Sequence, residues 1–197
     1  MKENNQLILI VDDNPTNLDS LVQTLKDDYR LGIAKDGQRA LEYAEKFLPD
    51  LIILDILMPG MDGYEVCSRL KSSSRTKNIP VIFITAMSET EDKTKGFEVG
   101  ALDYITKPFH AAEVKARIQT HLSLQEARER EIAIASKIQR TLLLGAVPNE
   151  KQDIEIAQLS VASQKVDGDF IDFFEQSSLC IDVVVGDVMG KGIPAAL

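Results

Sequence analysis

A run of four apolar residues, 51–54, stops abruptly at Asp55, and prolines at positions 49 and 59 frame it. An apolar run of this length without polar alternation is typical of a strand buried on both faces of a parallel sheet. In open sheets that carry helices on both faces, ligands bind at the carboxyl ends of the strands. Asp55 is therefore a candidate site residue. The alternative is a carboxylate that caps the turn after the strand.

Two further apolar runs and one short strand pattern lead into polar residues as well. They are residues 7–11 before Asp12 and Asp13, residues 80–85 ending in Thr85, and residues 102–105, which carry Tyr104 and precede Lys107. Apolar residues at helical spacing occupy most of the segments between the runs, so strand and helix patterns alternate five times with short connections. This alternation predicts an α/β domain with a flavodoxin-like, doubly wound sheet of five parallel strands.

The intervening helices have recognisable starts and ends. The spacing predicts helices over residues 15–25, 37–47, 63–71 and 89–99, and a short strand over residues 31–34. Asp62 can cap the third of these helices, because its carboxylate can accept the unpaired N–H groups of a first turn. Gly100 can end the fourth, since glycine tolerates the left-handed conformation found at many helix ends.

The polar residues at the strand ends should meet, because parallel strands all point the same way. This edge would bring together three carboxylates, one ammonium and one hydroxyl, those of Asp12, Asp13, Asp55, Lys107 and Thr85. Three anions repel one another unless a cation joins them, and carboxylate oxygens with few other ligands suit Mg²⁺. The pattern therefore predicts a pocket for a divalent ion and an added anion, with Lys107 meeting the anion.

This set of residues, in this order and at these spacings, resembles the receiver domain of two-component response regulators over residues 1–123. The resemblance implies that Asp55 accepts a phosphoryl group from a phosphohistidine on a histidine kinase or a phosphotransfer protein. It also implies that Asp13, Asp55 and the main-chain carbonyl of Leu57 bind Mg²⁺, while Asp12 acts through water. Phosphoryl transfer fits such a site, because it needs an in-line nucleophile and neutralised oxygens rather than covalent help.

The resemblance implies roles for three more residues. Lys107 would hold one phosphoryl oxygen and Thr85 would move toward another, after which Tyr104 would turn inward as an aromatic switch. The resemblance also implies a cis peptide bond between Lys107 and Pro108, the kind of bond at which cis peptides occur. The alternatives are a Thr85 hydroxyl bonded to its own backbone, a half-buried Tyr104 on an edge strand, and plain helix capping by Asp12 and Asp13.

A helical pattern continues from residue 110 without glycine or proline until position 145. Residues spaced alternately by three and four follow it, as in a coiled-coil seam: Val114, Ile118, His121 or Leu122, Gln125, Arg128, Ile132, Ala135, Gln139 and Leu142. We expect residues 124–147 to form a helical linker that pairs two chains into a homodimer. The alternative is a solvated connector helix. His121 is expected in the seam or at the surface rather than as a ligand.

Residues 148–197 resemble the start of the sporulation-type branch of type 2C metal-dependent serine/threonine protein phosphatases. The resemblance rests on the stretches IQRTLL, DGDFIDFF and GDVMGKGIPAAL, the first of which ends the helix. It implies that Asp169, Asp187 and the main-chain carbonyl of Val188 bind Mn²⁺ or Mg²⁺ ions, which activate a water for attack on phosphoserine. Asp167 departs from the family, which usually has glycine there.

The stretches DGDFIDFF and GDVMGKGIPAAL are expected as turns that carry metal ligands, with the apolar run 180–185 as a strand between them. The alternative is a pair of ordinary Asp-Gly turns that bind no metal. A catalytic domain of that family needs further strands and further acidic ligands. We therefore expect residues 148–197 to be the incomplete α+β start of a truncated phosphatase domain, inactive by itself.

Composition argues against several classes of function. Lys and Arg number 22 against 31 Asp and Glu, a net charge of −9, which argues against binding to the phosphate backbone of nucleic acids. No apolar run approaches the ~20 residues of a membrane helix, and no signal-peptide pattern is present. The two cysteines form neither a disulfide framework nor a metal cluster. A cytoplasmic protein is expected.

These observations predict a response regulator in which phosphorylation of Asp55 acts through a dimerising helix on a protein phosphatase. By the resemblance, the substrate of that phosphatase would be a phosphoserine on an anti-sigma antagonist protein. The alternative is a regulator without enzymatic output, in which phosphorylation changes only which proteins the chain binds.

Overall fold

Five parallel strands form one sheet in the order β2-β1-β3-β4-β5. The strands are β1 (Leu7–Val11), β2 (Arg30–Ala34), β3 (Leu51–Asp55), β4 (Val81–Thr85) and β5 (Asp103–Thr106). The chain adds strands first on one side of β1 and then on the other, so the point where the strand order reverses lies between β1 and β3. The predicted parallel sheet of a flavodoxin-like fold is thus confirmed.

The computed structural model describes residues 5–86, 96, 98–142, 169–177 and 180–187. The chain divides into two compact units, Met1–Ser123 and Leu124–Leu197, and the sheet belongs to the first. Most of the helix predicted over 89–99 lies outside the described residues, although residues 96 and 98 are helical. The strand-like stretch from residue 154 and the carbonyl of Val188 also lie outside them.

Four helices are described in full: α1 (Pro15–Leu25), α2 (Gly37–Phe47), α3 (Gly63–Ser72) and α4 (Ala111–Leu142). The first three begin at a polar cap, since the side chains of Asn14, Asp36 and Asp62 each accept a main-chain N–H of the first turn. The predicted cap at Asp62 is therefore confirmed. Gly100 has φ +92°, as expected where a helix ends. None of the described helices has the length and apolar character needed to cross a membrane.

Helices cover both faces of the sheet, which explains the continuous apolar runs. Successive residues of a strand point to opposite faces. Ile8 and Ile10 pack in one core cluster with residues of α1 and α4, whereas Leu9 and Val11 pack in the other with residues of α2 and α3. A strand covered on both sides has no position for a polar side chain until it ends, so the first carboxylates come at its last residue or directly after it.

The first part of the predicted coiled-coil seam is used within the first unit. Val114, Ile118 and Leu122 are buried in the same core cluster as residues of α1 and the sheet. The assignment of these three residues to a seam between two chains was therefore wrong. A spacing of three and four produces an apolar stripe equally well on a helix that packs against a sheet, so the pattern by itself does not separate the two cases.

The second unit contains an antiparallel pair, β6 (Asp169–Ser177) and β7 (Cys180–Asp187). The expectation of turns at residues 169–174 and 186–187 was wrong, since these residues belong to the strands. Aromatic and β-branched residues favour extended backbone, and they follow both acidic positions closely enough to continue the strands. Large apolar side chains on this pair are exposed, namely those of Phe174, Val183, Val184 and Val185.

The end of α2 offers a test of local backbone strain. Leu48 caps this helix with φ 47°, in the left-handed region, and its side chain is 45% exposed. A β-carbon costs about 1 kcal/mol in that conformation, so we expect Leu48→Gly to raise the free energy of unfolding by about that amount. Urea denaturation would measure the change. Phe47→Gly, which places glycine within the helix, should lower the stability instead; a loss of stability in Leu48→Gly would contradict the expectation.

Candidate functional site

The three carboxylates expected to converge lie together at the carboxyl edge of the sheet. Strands β1 and β3 are neighbours, with Val11 paired to Leu54, so the residues that follow them lie side by side. One carboxylate oxygen from each of Asp12, Asp13 and Asp55 lies within 4.8 Å of the others. Asp12 and Asp55 are buried, 1% and 5% exposed, whereas Asp13 is exposed. The cluster thus has two buried members and one that faces solvent.

Lys107 provides the ammonium of the site. Its Nζ lies 2.9 Å from Oδ2 of Asp12 and 2.9 Å from Oδ1 of Asp55, so one cation bridges both buried carboxylates. The main-chain N–H of Lys107 donates to the carbonyl of Thr85 at 2.7 Å, which fixes the end of β5 beside the end of β4. The peptide bond between Lys107 and Pro108 is cis, as predicted.

Burial and charge act in opposite directions on these groups. Burial raises the pKa of the Asp55 carboxyl; Lys107 opposes this shift, while Asp12 and Asp13 add to it. Burial alone would lower the pKa of the Lys107 ammonium, but its bonds to Asp12 and Asp55 outweigh that effect and raise it. Lys107 therefore stays charged at neutral pH, and the site carries more negative than positive charge.

Thr85 and Tyr104 lie on the neighbouring strands. Thr85 ends β4 and is almost fully buried. Tyr104 is paired with Phe83 across β4 and β5, is half-buried, and packs against the core cluster that contains α2 and α3 residues. Leu57 lies in the loop two residues after Asp55, with its side chain 51% exposed. All the residues named for the site from the sequence of the first unit thus lie on this sheet edge or beside it.

The loop between β3 and α3 returns very close to Asp55. The N–H of Gly63 donates to the carbonyl of Ile56 at 2.9 Å. A β-carbon at Gly63 would collide with the main-chain oxygen of Asp55 and would lie 2.8 Å from the Cα of Ile56. Only glycine permits this approach without a shift of the backbone. Gly60 has φ +81°, a conformation that also favours glycine.

The chemistry of the donor set fits a hard divalent cation. Three carboxylates lie within 4.8 Å of one another and offer oxygen ligands, which Mg²⁺ prefers to nitrogen or sulfur ligands. Their combined negative charge also favours a cation. Asp55 can serve both as a ligand and as a nucleophile, because a carboxylate has two oxygens. Lys107 contacts the two buried carboxylates and can pair with an added anion.

Two contacts of the site region were not foreseen from the sequence. The side-chain amide of Asn17 contacts both oxygens of Asp12, at 3.0 and 2.9 Å. Asn17 is the third residue of α1, the position from which a side chain commonly reaches back beyond the helix start. That position is the signal by which the sequence could have identified it.

A second network links β5 to α4. Asp103 accepts hydrogen bonds from Nη1 of Arg117 at 2.8 and 2.9 Å and lies 3.1 Å from Nε2 of His121. Arg117 also contacts Glu113, one helical turn earlier. His121 was expected in a seam between chains or at the surface; instead its side chain, 14% exposed, contacts Asp103 within the first unit. The network fastens the edge strand to the helix.

This network predicts a dependence of stability on pH. Burial alone would raise the pKa of Asp103, but hydrogen bonds from His121 and Arg117 outweigh it, so this pKa is lowered on folding. The stabilisation by Asp103 is then fully present above the unfolded pKa of about 3.9 and is lost as pH falls through the lower folded value. We expect Asp103→Asn to lower the free energy of unfolding by about 1–2 kcal/mol at pH 7. In urea denaturation, the gap in stability between this variant and wild type should close below pH ~4. A gap that stays constant with pH would contradict this.

For the candidate phosphatase metal site in the second unit, the structure gives the strand pairing of the two acidic residues. Asp169 and Asp187 are directly opposite each other at one end of the β6–β7 pair. The two acidic residues named from the sequence are therefore neighbours across the strands, although they are far apart along the chain. Val188 lies outside the described residues.

Comparison with known proteins identifies one matching family. The model of the response regulator receiver domain matches residues 8–119, more than half of the chain. The match covers the sheet, the edge that carries the carboxylates, and the first part of α4. It ends before the second unit.

Several relatives share this part of the chain. A probable cyclic di-GMP phosphodiesterase of Vibrio cholerae is 45% identical over 127 residues, which are 64% of this chain and 28% of the relative. An uncharacterized transcriptional regulatory protein, YrkP of Bacillus subtilis, is 39% identical over 159 residues, 77% of this chain and 67% of the relative. The chain thus spans less than a third of the length of the first of these relatives.

A similar solved structure is the receiver domain of a sensor histidine kinase from Pseudomonas aeruginosa. It is 31% identical, has a TM-score of 0.57, and the match covers 60% of this chain and 98% of that domain. That structure has a magnesium ion coordinated in its active site cleft.

Proposed function

The chain belongs to the response regulator receiver domain family, and from that premise we propose that its first unit accepts a phosphoryl group on Asp55 within a two-component system. The observation that carries the proposal is the ion pair of Asp55 with Lys107 at 2.9 Å, together with the oxygens of Asp12 and Asp13 that lie within 4.8 Å of an Asp55 oxygen. Receiver domains take the group from a histidine kinase or a histidine phosphotransfer protein, and we propose the same donors for this chain.

The transfer needs one nucleophilic oxygen and a site that tolerates the new charge. A carboxylate oxygen of Asp55 attacks the phosphorus of the donor phosphohistidine, the P–N bond breaks, and its electron pair returns to the imidazole. The product is an acyl phosphate on Asp55. Lys107 already lies against Asp55, so its ammonium can pair with a phosphoryl oxygen as negative charge arrives.

Asp13, Asp55 and the main-chain carbonyl of Leu57 would bind Mg²⁺ directly, and Asp12 would act through water. The ion, when bound, supplies positive charge that neutralises the phosphoryl oxygens. The support is the cluster of three carboxylates and the magnesium ion in the similar receiver domain from Pseudomonas aeruginosa.

Thr85 and Tyr104 would report the phosphorylated state. The Thr85 hydroxyl ends the strand next to β3 and can donate to a phosphoryl oxygen. Tyr104 lies on the next strand and is half-buried, and its ring would turn inward when Thr85 moves. The change would then reach the surface formed around β5.

The experiment that tests the proposal is incubation of the chain with acetyl phosphate and Mg²⁺, followed by intact-mass measurement. We expect a mass gain of one phosphoryl group, and none when a chelator removes Mg²⁺. No gain in the presence of Mg²⁺ would overturn the proposal. A gain that is unaffected by the chelator would overturn the role of the metal.

For the output we propose a type 2C-like protein serine phosphatase that begins in the second unit. Its support is the acidic stretches named above and the pairing of Asp169 with Asp187, which would bind Mn²⁺ or Mg²⁺. Its substrate would be a phosphoserine on a protein of the anti-sigma antagonist type. The names of relatives point to other outputs, a phosphodiesterase and transcriptional regulation. A regulator that acts only by binding is the alternative.

Phosphate release from a phosphoserine peptide separates these outputs. In a form of the protein that carries a complete catalytic domain after β7, we expect Mn²⁺-dependent release that Asp187→Ala abolishes. Release that survives Asp187→Ala would place the metal site elsewhere. Absence of release would favour the binding-only alternative.

We propose that two chains pair through the part of α4 after residue 123, and that this pairing connects phosphorylation with the output. Leu124 and Ile134 are exposed apolar side chains in this part of the helix. Sedimentation of the chain with and without beryllofluoride and Mg²⁺ tests this proposal. A monomer in both conditions would contradict it.

A further inference from the structure

Asp12 is almost fully buried, and three donors satisfy its oxygens. The main-chain N–H of Asn14 donates to Oδ1 at 2.8 Å, and Lys107 donates to Oδ2 at 2.9 Å. The third donor is the side-chain amide of Asn17, whose Nδ2 lies 3.0 Å from Oδ1 and 2.9 Å from Oδ2. A buried carboxylate requires such donors, because an oxygen left without one costs far more free energy inside a protein than in water.

The three donors do different things to Asp12. The N–H of Asn14 is fixed by the path of the chain and holds one oxygen only. Lys107 is shared with Asp55, so its position depends on both carboxylates. Asn17 alone among these contacts touches both oxygens of Asp12, and a donor that bridges two oxygens fixes the rotation of the carboxylate plane. The direction of Oδ2, and with it the position of the Lys107 ammonium, therefore depends on Asn17.

The position of Asn17 in α1 suits this contact. It is the third residue of the helix, half-buried, and side chains in helices lean back toward the helix start. The neighbouring Leu18 is buried in the core cluster beneath α1, so packing holds this turn of the helix in place. The contact is thus supported by a rigid element rather than by a free loop.

We propose that Asn17 is a positioning residue of the phosphorylation site: it fixes the Asp12 carboxylate and, through it, the ammonium of Lys107 beside Asp55. This inference rests on the proposed function of the first unit. Without the amide, only the Asn14 N–H and Lys107 hold the Asp12 carboxylate, so it presents its oxygens less well to a cation and holds Lys107 less firmly. Loss of a hydrogen bond that orients a metal-site group typically costs 10–100-fold in metal affinity or activity.

The test compares Asn17→Ala and Asn17→Leu with wild type, Asn17→Gln and Gln23→Ala. Gln23 is an exposed carboxamide on the same helix and serves as the matched control. The first readout is the dissociation constant of Mg²⁺, measured by calorimetry because the chain has no tryptophan. The second is the rate of phosphorylation by acetyl phosphate at saturating Mg²⁺. The third is urea denaturation without Mg²⁺, which measures any loss of folding.

We expect Asn17→Ala and Asn17→Leu to weaken Mg²⁺ binding and to slow phosphorylation, each by about tenfold or more. Asn17→Gln should recover most of the loss, since it keeps the amide. Gln23→Ala should stay within about twofold of wild type, as a surface substitution does.

Two results would overturn the inference. One is Mg²⁺ affinity and a phosphorylation rate in Asn17→Ala equal to those of wild type. The other is a variant that is less stable but binds Mg²⁺ normally, because that outcome assigns Asn17 to helix stability alone. If wild type itself accepts no phosphoryl group, the proposed function fails, whereas the calorimetry still decides whether Asn17 orients the carboxylates.

Discussion

Asp55→Asn is expected to abolish the mass gain that acetyl phosphate and Mg²⁺ produce in the chain. The substitution replaces the nucleophilic carboxylate by an amide of the same shape, whose nitrogen and oxygen do not form an acyl phosphate. It also removes one of the three carboxylates that gather at the edge of the sheet. Intact-mass measurement over a time course gives the result directly.

The variant should remain folded, which makes its loss of function interpretable. Burial raises the pKa of Asp55, so the folded state disfavours its charge relative to the unfolded chain, and a neutral side chain relieves that cost. Asp19→Asn is the matched control, since Asp19 is an exposed carboxylate on α1. It should gain mass as wild type does. A gain in Asp55→Asn at the wild-type rate would show that another residue is the nucleophile.

Gly63→Ala is expected to lower the free energy of unfolding by about 3 kcal/mol. The added β-carbon would collide with the main-chain oxygen of Asp55 and crowd the Cα of Ile56. Both obstacles are backbone, so neither can rotate away, and overpacking of this kind costs about 1–3 kcal/mol or more. Because the collision pushes on Asp55 itself, phosphorylation should slow as well. Urea denaturation and the acetyl phosphate assay measure the two effects.

Gly60→Ala separates this collision from the ordinary cost of losing a glycine. Gly60 has φ +81°, but a β-carbon there would meet nothing within 4 Å. Gly60→Ala should therefore lower the free energy of unfolding by only about 1 kcal/mol, the penalty for a side chain in the left-handed region. If Gly63→Ala were no more destabilising than Gly60→Ala, the close approach of the loop to Asp55 would not matter for stability.

The sheet could be predicted because burial on both faces leaves a direct mark on the sequence. Every residue of β3 and β4 is buried, so their runs contain no polar residue until the strand ends. The same constraint places the first polar residues at a common edge, which explains why Asp12, Asp55 and Thr85 could be named together. Their meeting depends only on parallel strands, not on details of packing.

The partners of α4 could not be predicted in the same way. Val114, Ile118 and Leu122 pack on the sheet of their own unit, yet their spacing equally suits a seam between two helices. The spacing reports that one stripe of the helix is buried, and it does not report what buries it. The bonds of Asp103 with Arg117 and His121 were missed for a related reason, since they join residues from two elements whose distance the sequence does not give.

The acidic stretch 169–174 shows the limit of turn signals. An Asp-Gly pair next to acidic residues is typical of a turn, but Ile171 and Phe173 continue as strand, paired with Val185 and Val183. Strand preference is decided by the neighbours across the pair as much as by the local residues. The local pattern therefore indicated the wrong structure where the partner strand determined the outcome.

Asp55 is expected to accept a phosphoryl group at a magnesium site formed with Asp12 and Asp13, beside Lys107. A crystal structure of the chain with Mg²⁺ and beryllofluoride tests it most directly, because beryllofluoride mimics a phosphoryl group on a carboxylate. We predict beryllium bonded to a carboxylate oxygen of Asp55, fluorine in contact with Lys107, and the magnesium ion among the three carboxylates. An unmodified Asp55, or an ion bound away from this cluster, would contradict the account.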